Sequence, residues 1–151
     1  MPFDPISYAK ALKLKSMDVR ILEDDYIELF KACDPTGLKV WTYARDLVYL
    51  GKLTWDDVAK FANDVKNTDI LAHEFNENMY FTDDEIASIL NSANLAVDKA
   101  ASILNSTNIT ADRVDSIASS INITSSRIEE ILDTGLLTDV DKREALLAIL
   151  E

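Results

Sequence analysis

The sequence has few of the residues that usually carry chemistry. Among its 151 residues there are one cysteine (Cys33), one histidine (His73), three prolines and three glycines. One cysteine cannot form an internal disulfide, and a structural zinc site needs a cluster of cysteines and histidines. The chain has no P-loop, GxGxxG or GxSxG motif, and a single histidine rules out HExxH. We therefore predict a protein that is not an enzyme and holds no metal or cofactor.

Long apolar runs and basic charge are also scarce. No apolar run is long enough to cross a bilayer, and no charged segment followed by an apolar stretch opens the chain. We expect neither a membrane span nor a cleaved signal. The chain has 27 acidic and 15 basic residues, for a formal net charge of -12. Because this charge repels nucleic-acid phosphates, the composition predicts protein partners, with nucleic acid and membrane both disfavoured.

Aromatic residues are missing from the second part of the chain. All of them lie at or before Phe81, and residues 82–151 also lack Pro, Cys, His and Met. Residues 1–81 carry 10 basic and 14 acidic side chains, whereas residues 82–151 carry 5 and 13. We predict three regions: an N-terminal arm or docking segment at 1–16, an aromatic-rich helical core at 17–81, and a helical repeat region at 82–151.

Helix start and stop signals divide the predicted core. Apolar residues recur every three or four positions in 17–33 and 38–50, and Gly51 ends the second pattern. Thr54 is followed by acidic residues, as is typical of a helix N-cap, and Asn67-Thr68 indicates the start of a further helix. These patterns predict a small helical bundle for residues 17–81.

The region from Thr82 to the end of the chain repeats itself. Cut at every fourteenth position from Thr82, it reads TDDEIASILNSANL, AVDKAASILNSTNI, TADRVDSIASSINI and TSSRIEEILDTGLL, followed by a degenerate copy, TDVDKREALLAILE. A fixed period with apolar residues at matching positions indicates internal repetition. We expect these apolar positions to pack the repeats against one another. They are Ile86, Ile89, Ile103, Val114, Ile117, Ile128 and Ile131.

Each copy begins and ends like a short helix. A threonine at the start suits an N-cap, because its hydroxyl accepts a hydrogen bond from a free backbone N–H. The predicted caps are Thr82, Thr110, Thr124 and Thr138. At the other end, Asn94, Asn108 and Asn122 suit the left-handed position that follows a helix, a role that Gly135 takes in the fourth copy. The predicted fold is all-α, with the short helices stacked as a solenoid.

An oligomeric coiled coil is the alternative for the C-terminal half. Fourteen is twice seven, so the same residues satisfy a heptad pattern, and neither Gly nor Pro interrupts residues 52–134. Isoleucine at both a and d positions is typical of coiled coils with three or more strands. However, Leu95, Ile109 and Ile123 fall outside that seam, and the Asn-Ile-Thr steps suit helix interiors poorly. We therefore favour separate helices.

The segment at 1–16, MPFDPISYAKALKLKS, resembles the start of small phage and archaeal-virus particle proteins, notably head- or tail-fibre-like chains. The match runs from Asp4 to Lys10. This resemblance implies an N-terminal anchor that docks on a larger particle, followed by a repetitive body. It also implies a location in the virion. The docking residues it implies are Phe3, Asp4, Pro5, Ile6 and Tyr8.

These observations together give a ranked expectation of function. First comes a non-enzymatic structural or assembly protein of a virus particle, which docks through its N-terminus and self-associates or binds partners through its helical repeats. A cytoplasmic α-solenoid adaptor that binds a protein partner is the alternative. A helix-turn-helix regulator comes third, because the excess of acidic residues in 82–151 opposes DNA binding.

Overall fold

The computed structural model describes residues 44–45, 48–51, 53–76 and 81–151, and within these ranges the chain is all-α, as predicted. Seven helices with defined bounds follow one another without a strand. They are α1 (Trp55–Asp64), α2 (Thr68–Asn76), α3 (Asp83–Asn91), α4 (Val97–Asn105), α5 (Ala111–Ala118), α6 (Ser125–Asp133) and α7 (Val140–Leu150). The predicted arm at 1–16 and the helical pattern at 17–33 lie outside the described residues.

Side-chain caps fix where the helices begin. Thr54 Oγ1 accepts a hydrogen bond from the Asp57 N–H at 3.2 Å, and the Asp57 carboxylate accepts one from the Thr54 N–H at 2.8 Å. Thr82 and Glu85 form the same reciprocal pair at the start of α3. Such a capping box satisfies backbone donors that have no partner inside the helix. These two helices therefore start where the sequence places Thr followed three positions later by an acid.

Helices that are two apart in sequence pack against each other. α3 packs on α1, α4 on α2, α5 on α3, α6 on α4 and α7 on α5, and α7 also contacts α6. Consecutive helices thus alternate between two rows, one with α1, α3, α5 and α7 and the other with α2, α4 and α6. This is the arrangement of an α-solenoid, in which each unit buries its apolar face on its neighbours.

The hydrophobic core continues across the predicted boundary at Phe81/Thr82. The ring of Phe81 makes edge contacts with two aromatic rings, Phe75 at 5.2 Å and Trp55 at 6.1 Å between centroids. One cluster of buried residues extends from Ala44 to Leu146. The change of composition at this position is therefore a change of core residues, from aromatic to aliphatic, and not a break in the packing of the described residues.

Residues 82–151 form separate helices. Helices α3 to α6 start at Asp83, Val97, Ala111 and Ser125, with a constant spacing of fourteen positions. The continuous helix that a coiled coil would need is not present, because short turns interrupt the chain after α3, α4, α5 and α6. Residues 82–151 thus consist of short helices separated by turns.

Candidate functional site

The turns between helices are closed by serine hydroxyl groups. The Oγ atoms of Ser92, Ser106 and Ser120 accept hydrogen bonds from the N–H groups two positions further on, at 3.1, 3.2 and 3.1 Å. The prediction that Asn94, Asn108 and Asn122 are left-handed is wrong, since no described residue other than glycine has a positive φ. The hydroxyl closes each turn, so no left-handed residue is needed. Gly135, with a φ of +72°, does take that conformation.

The three asparagines instead connect one helix to another. The Nδ2 of Asn94 donates to the Asp56 carbonyl at 3.0 Å. Asn108 and Asn122 make the equivalent bonds to the carbonyls of Asp69, at 3.2 Å, and Asp84, at 3.1 Å. In each case the turn after one helix is tied to the first turn of the helix two earlier. The recurring asparagine therefore fixes the spacing of neighbours within a row.

A second set of asparagines joins helices that are three apart. The Oδ1 of Asn63, at the end of α1, accepts from the Ala96 N–H at 2.9 Å, just before α4. Asn91 and Asn105, at the ends of α3 and α4, accept in the same way from the N–H groups of Thr124 and Thr138, each at 3.0 Å. These bonds satisfy donors next to the starts of the later helices and connect the two rows.

Basic side chains make the third and most recurrent connection. The third residue of each helix from α4 to α7 is basic, and its side chain reaches the end of the helix three earlier. These residues are Lys99, Arg113, Arg127 and Lys142. Carbonyl groups at a helix C-terminus lack partners and carry partial negative charge. A cation placed there satisfies the carbonyls and interacts favourably with the helix dipole.

Arg127 shows this capping most completely. Its Nε donates to the Leu90 carbonyl at 2.8 Å, and its Nη2 donates to the carbonyls of Ser92, at 3.1 Å, and Leu95, at 2.5 Å. The residue is buried. Arg127 also lies 3.6 Å from the Glu130 carboxylate, which is mostly exposed. The carbonyls at the end of α3 are thus its principal partners.

The lysines at equivalent positions are desolvated. Lys142 is buried, and its Nζ donates to the carbonyls of Leu104 at 2.6 Å and Ser106 at 2.8 Å. Burial lowers the pKa of Lys142 from its ordinary value of 10.5, and the carboxylate of Asp139 opposes this shift. The pKa of Lys99 is lowered for the same reason, with Asp64 as the opposing carboxylate. Charge-assisted bonds to carbonyls compensate for the lost hydration.

Arg113 combines the same cap with an ion pair. Its Nη1 donates to the Asn76 carbonyl at 2.7 Å and its Nη2 to the Phe81 carbonyl at 3.1 Å, while its Nε lies 3.0 Å from the Asp83 carboxylate. Asp83 therefore has a structural partner, and Glu85 serves in the capping box of α3. These acidic residues act in holding the array together.

The residues predicted to pack the repeats lie in the core. They occupy the fourth and seventh positions of α3 to α6, which share one helix face, and none is more than 1% exposed. These residues are Ile86, Ile89, Ile103, Val114, Ile117, Ile128 and Ile131. The predicted docking residues lie outside the described part of the chain. They are Phe3, Asp4, Pro5, Ile6 and Tyr8.

Three of the four predicted threonine caps are the N-caps of their helices. The hydroxyls of Thr82, Thr110 and Thr124 accept from the third N–H of α3, α5 and α6. The prediction for Thr138 is wrong, because α7 starts one position later and its N-cap is Asp139. The Asp139 carboxylate accepts from the Lys142 N–H at 3.1 Å. An aspartate caps a helix as well as a threonine does, so the adjacent acid takes the role.

Charge is distributed unequally between the surface and the interior of residues 82–151. All five basic residues of this region are buried or half-buried. Of its 13 acidic residues, 11 are exposed. The fully exposed charges of the region are therefore all negative. The net charge from composition alone understates how acidic the surface is.

The side chains most suited to chemistry are placed as follows in the described part of the chain. His73 is exposed on α2, and Cys33 lies outside the part that is described. No group of three or more His, Cys, Asp or Glu side chains in the described ranges is arranged to hold a metal ion. An open groove of about 330 Å³ has a mostly polar lining that includes Asp69, Ser102 and Leu136. None of the described helices has the length and apolar character needed to cross a bilayer.

Comparison with protein-family models, curated proteins and solved structures finds no match for this chain. Its function is therefore inferred from the residues themselves.

Sequence reasoning missed the basic caps. Their signal is present in the sequence, since Lys99, Arg113 and Arg127 recur with the same period of fourteen as the isoleucines. A basic residue in the first turn of a helix opposes the helix dipole. Repetition at this unfavourable position could have indicated a partner with negative charge, which in the structure is the end of another helix.

Proposed function

We propose that this chain is a non-enzymatic assembly protein that binds protein partners through its helical array. The observation that carries this proposal is the set of side-chain bonds between helices two and three apart. A basic residue caps the end of each helix from α1 to α4. Asparagine side chains add bonds to a backbone carbonyl of the helix two earlier and to a backbone N–H just before the helix three later. A stack held in this way keeps a fixed surface, and fixed extended surfaces are what solenoid proteins use for binding.

The more specific proposal is a component of a virus particle, located in the virion. Its support is the resemblance of the segment from Asp4 to Lys10 to particle proteins. In this proposal the segment at 1–16 docks on a larger assembly, and the array projects from it and associates with further copies or partners. A cytoplasmic adaptor is the second candidate. The exposed charges of residues 82–151 are uniformly acidic, and this favours an adaptor because such a surface attracts basic partner proteins and repels acidic ones.

Mass in solution separates the two candidates. Multi-angle light scattering of the full chain is measured from low to high micromolar concentration. It is repeated with an F3S/Y8S variant of the arm and with a D112N control on the array. For the particle component we expect a mass above that of one chain, which the arm variant reduces and the control does not. A monomer whose mass is the same in all three proteins contradicts the particle component and favours the adaptor.

Melting of the array tests the proposal as a whole. If the helices of the array present one surface, they should unfold in a single cooperative transition by circular dichroism. Separate transitions for different helices would contradict a fixed binding surface.

A further inference from the structure

One face of the array changes character between α4 and α5. The fifth and eighth residues of each helix lie on the same face. In α1 to α4 the fifth residue is alanine and is fully buried. These alanines are Ala59, Ala72, Ala87 and Ala101. In α5, α6 and α7 it is an exposed acid: Asp115, Glu129 or Glu144. Each helix with an alanine has a partner three helices later, and each helix with an acid has none among the described residues.

The eighth residue follows the same progression but stays apolar. It is buried in every helix from α1 to α5, with Leu104 of α4 only 2% exposed. It is half-buried in α6, as Leu132, and 47% exposed in α7, as Leu147. We call the face formed by Asp115, Glu129, Glu144, Leu132 and Leu147 the C-terminal edge. It is acidic and apolar at once.

The backbone at this edge lacks the caps found elsewhere. Arg127 donates to the carbonyls of Leu90, Ser92 and Leu95 at the end of α3. The equivalent carbonyls at the end of α5 belong to Ala118, Ser120 and Ile123, and no described side chain donates to them. Because a helix C-terminus carries partial negative charge, this end attracts a cation just as the interior ends do.

We propose that the C-terminal edge binds a cationic amphipathic helix of a partner protein. Its lysine or arginine side chains contact the three acids and the carbonyls at the end of α5, and its apolar side chains cover Leu132 and Leu147. The inference rests on the proposed function and adds the chemistry of the partner. A face that only terminated the array would be polar throughout, whereas Leu147 is 47% exposed and continues an apolar row. Charge complementarity makes the partner basic.

A second copy of the chain is the less favoured occupant. Two C-terminal edges would bring like charges together, which opposes association. The third residues of α1, α2 and α3 in a second copy are Asp57, Ile70 and Glu85. None of them is basic, so these helices cannot supply the cap that the bases of α4 to α7 supply inside the array.

Peptide binding to the full chain tests this inference. The probe is a fluorescein-labelled peptide with the sequence of residues 96–123 and the substitutions D98K, D112K and D115K, which change its net charge from -1 to +5. The matched control peptide has the unchanged sequence. Binding is measured by fluorescence anisotropy to the wild type, to a D115N/E129Q/E144Q edge variant and to a D84N/D98N/D112N variant. Both variants lose three exposed acids, and circular dichroism checks their folding.

We expect the cationic peptide to bind the wild type and the D84N/D98N/D112N variant, and to bind the edge variant about tenfold more weakly or worse. Added salt should weaken binding. L147S, which removes an exposed apolar contact, should also weaken binding without unfolding the chain.

Three results would overturn the inference. They are no binding of the cationic peptide, an equal loss of binding in both triple variants, and a wild-type dimer that L147D converts to a monomer. The last result would identify a second copy as the occupant and leave the proposed assembly function standing. Failure of that function is recognised separately, from the loss of a single melting transition.

Discussion

Arg127 gives the sharpest test of how the array is held together. Its guanidinium makes three hydrogen bonds to backbone carbonyls at the end of α3. One of these carbonyls belongs to Leu90, which lies 37 positions before Arg127 in the sequence. Its other polar neighbour is the Glu130 carboxylate one turn further along α6, at 3.6 Å. Two single substitutions separate these contributions, because R127A removes the carbonyl contacts together with the ion pair, whereas E130Q removes only the charge of the ion pair.

The magnitudes of the two effects should differ widely. R127A leaves the carbonyls of Leu90 and Leu95 without a donor, whereas the Ser92 carbonyl keeps the Leu95 N–H at 3.2 Å. Two unsatisfied buried carbonyls together cost about 3–5 kcal/mol. An i,i+3 ion pair whose carboxylate is solvent-exposed, as that of Glu130 is, contributes about 0.5 kcal/mol or less. We therefore expect R127A to lower the free energy of unfolding by about 3–5 kcal/mol. E130Q should lower it by no more than about 0.5 kcal/mol.

Urea denaturation followed by circular dichroism at 222 nm measures both values. R127K is the intermediate control, because an ammonium group makes two equivalent carbonyl bonds at Lys142. We expect it to recover more than half of the loss. If R127A lowered the free energy of unfolding by less than about 1 kcal/mol, or if R127A and E130Q lowered it equally, the assignment of Arg127 as a helix cap would be refuted.

Three further predictions concern the core, the helix starts and pH. I117D, which places a charge at a fully buried position, should unfold the array, whereas I121D at a 97% exposed turn residue should change the melting temperature little. T124A should lower the free energy of unfolding by about 1 kcal/mol, because Thr124 is the N-cap of α6. T138A should lower it less, because the N-cap of α7 is Asp139, and equal losses in urea denaturation would contradict this. The pKa of Lys142 is lowered by burial, so between that lowered pKa and 10.5 the unfolded chain binds more protons at this group. Its contribution to stability should rise with pH in that window, and stability curves of the wild type and K142M should differ in slope there; parallel curves would exclude the shift.

The sequence predicts the local structure of this protein well. Capping signals such as Thr82 with Glu85 act over three positions, and the isoleucine period reports one buried face per helix. Because both signals are local in sequence, they can be read without knowing the packing. The all-α fold that they predict is confirmed, and the predicted repeat positions, such as Ile117, lie in the core. The stop at Gly51 is also local, since its φ of +75° is a conformation that glycine adopts readily.

The connections between helices could not be predicted in the same way. Val65, which Lys99 contacts, lies 34 positions before it, and a period of fourteen does not tell which helix a side chain reaches. Asn108 suits a left-handed turn by propensity, but its amide has a carbonyl of α2 within reach and Ser106 already closes the turn. In both cases a long-range contact decides the role of a residue whose local preference points elsewhere.

The continuity of α1 and α2 with the repeats was hidden by a change of side-chain type. Phe61 stands in α1 where later helices have isoleucine, and Thr54 precedes Thr82 by two periods of fourteen. Amino-acid composition divides the chain after Phe81 and so sets α1 and α2 apart from the later helices. Packing depends instead on the volume and polarity of the side chains at matching positions. A repeat pattern that allowed aromatic residues at the isoleucine positions would have included α1, whereas in α2 the seventh position is taken by the buried Glu74.

Hydrogen exchange of the wild type and R127A tests the central claim most directly, namely that each basic cap connects helices three apart. The claim predicts faster exchange in R127A at the N–H groups of Ser92 and Leu95, at the end of α3, as well as in α6. T124A removes the N-cap of α6 and the bond from the Thr124 hydroxyl to the Asn91 side chain but keeps Arg127, so the N–H groups of Ser92 and Leu95 should stay protected. Faster exchange confined to α6 in both variants would contradict this claim.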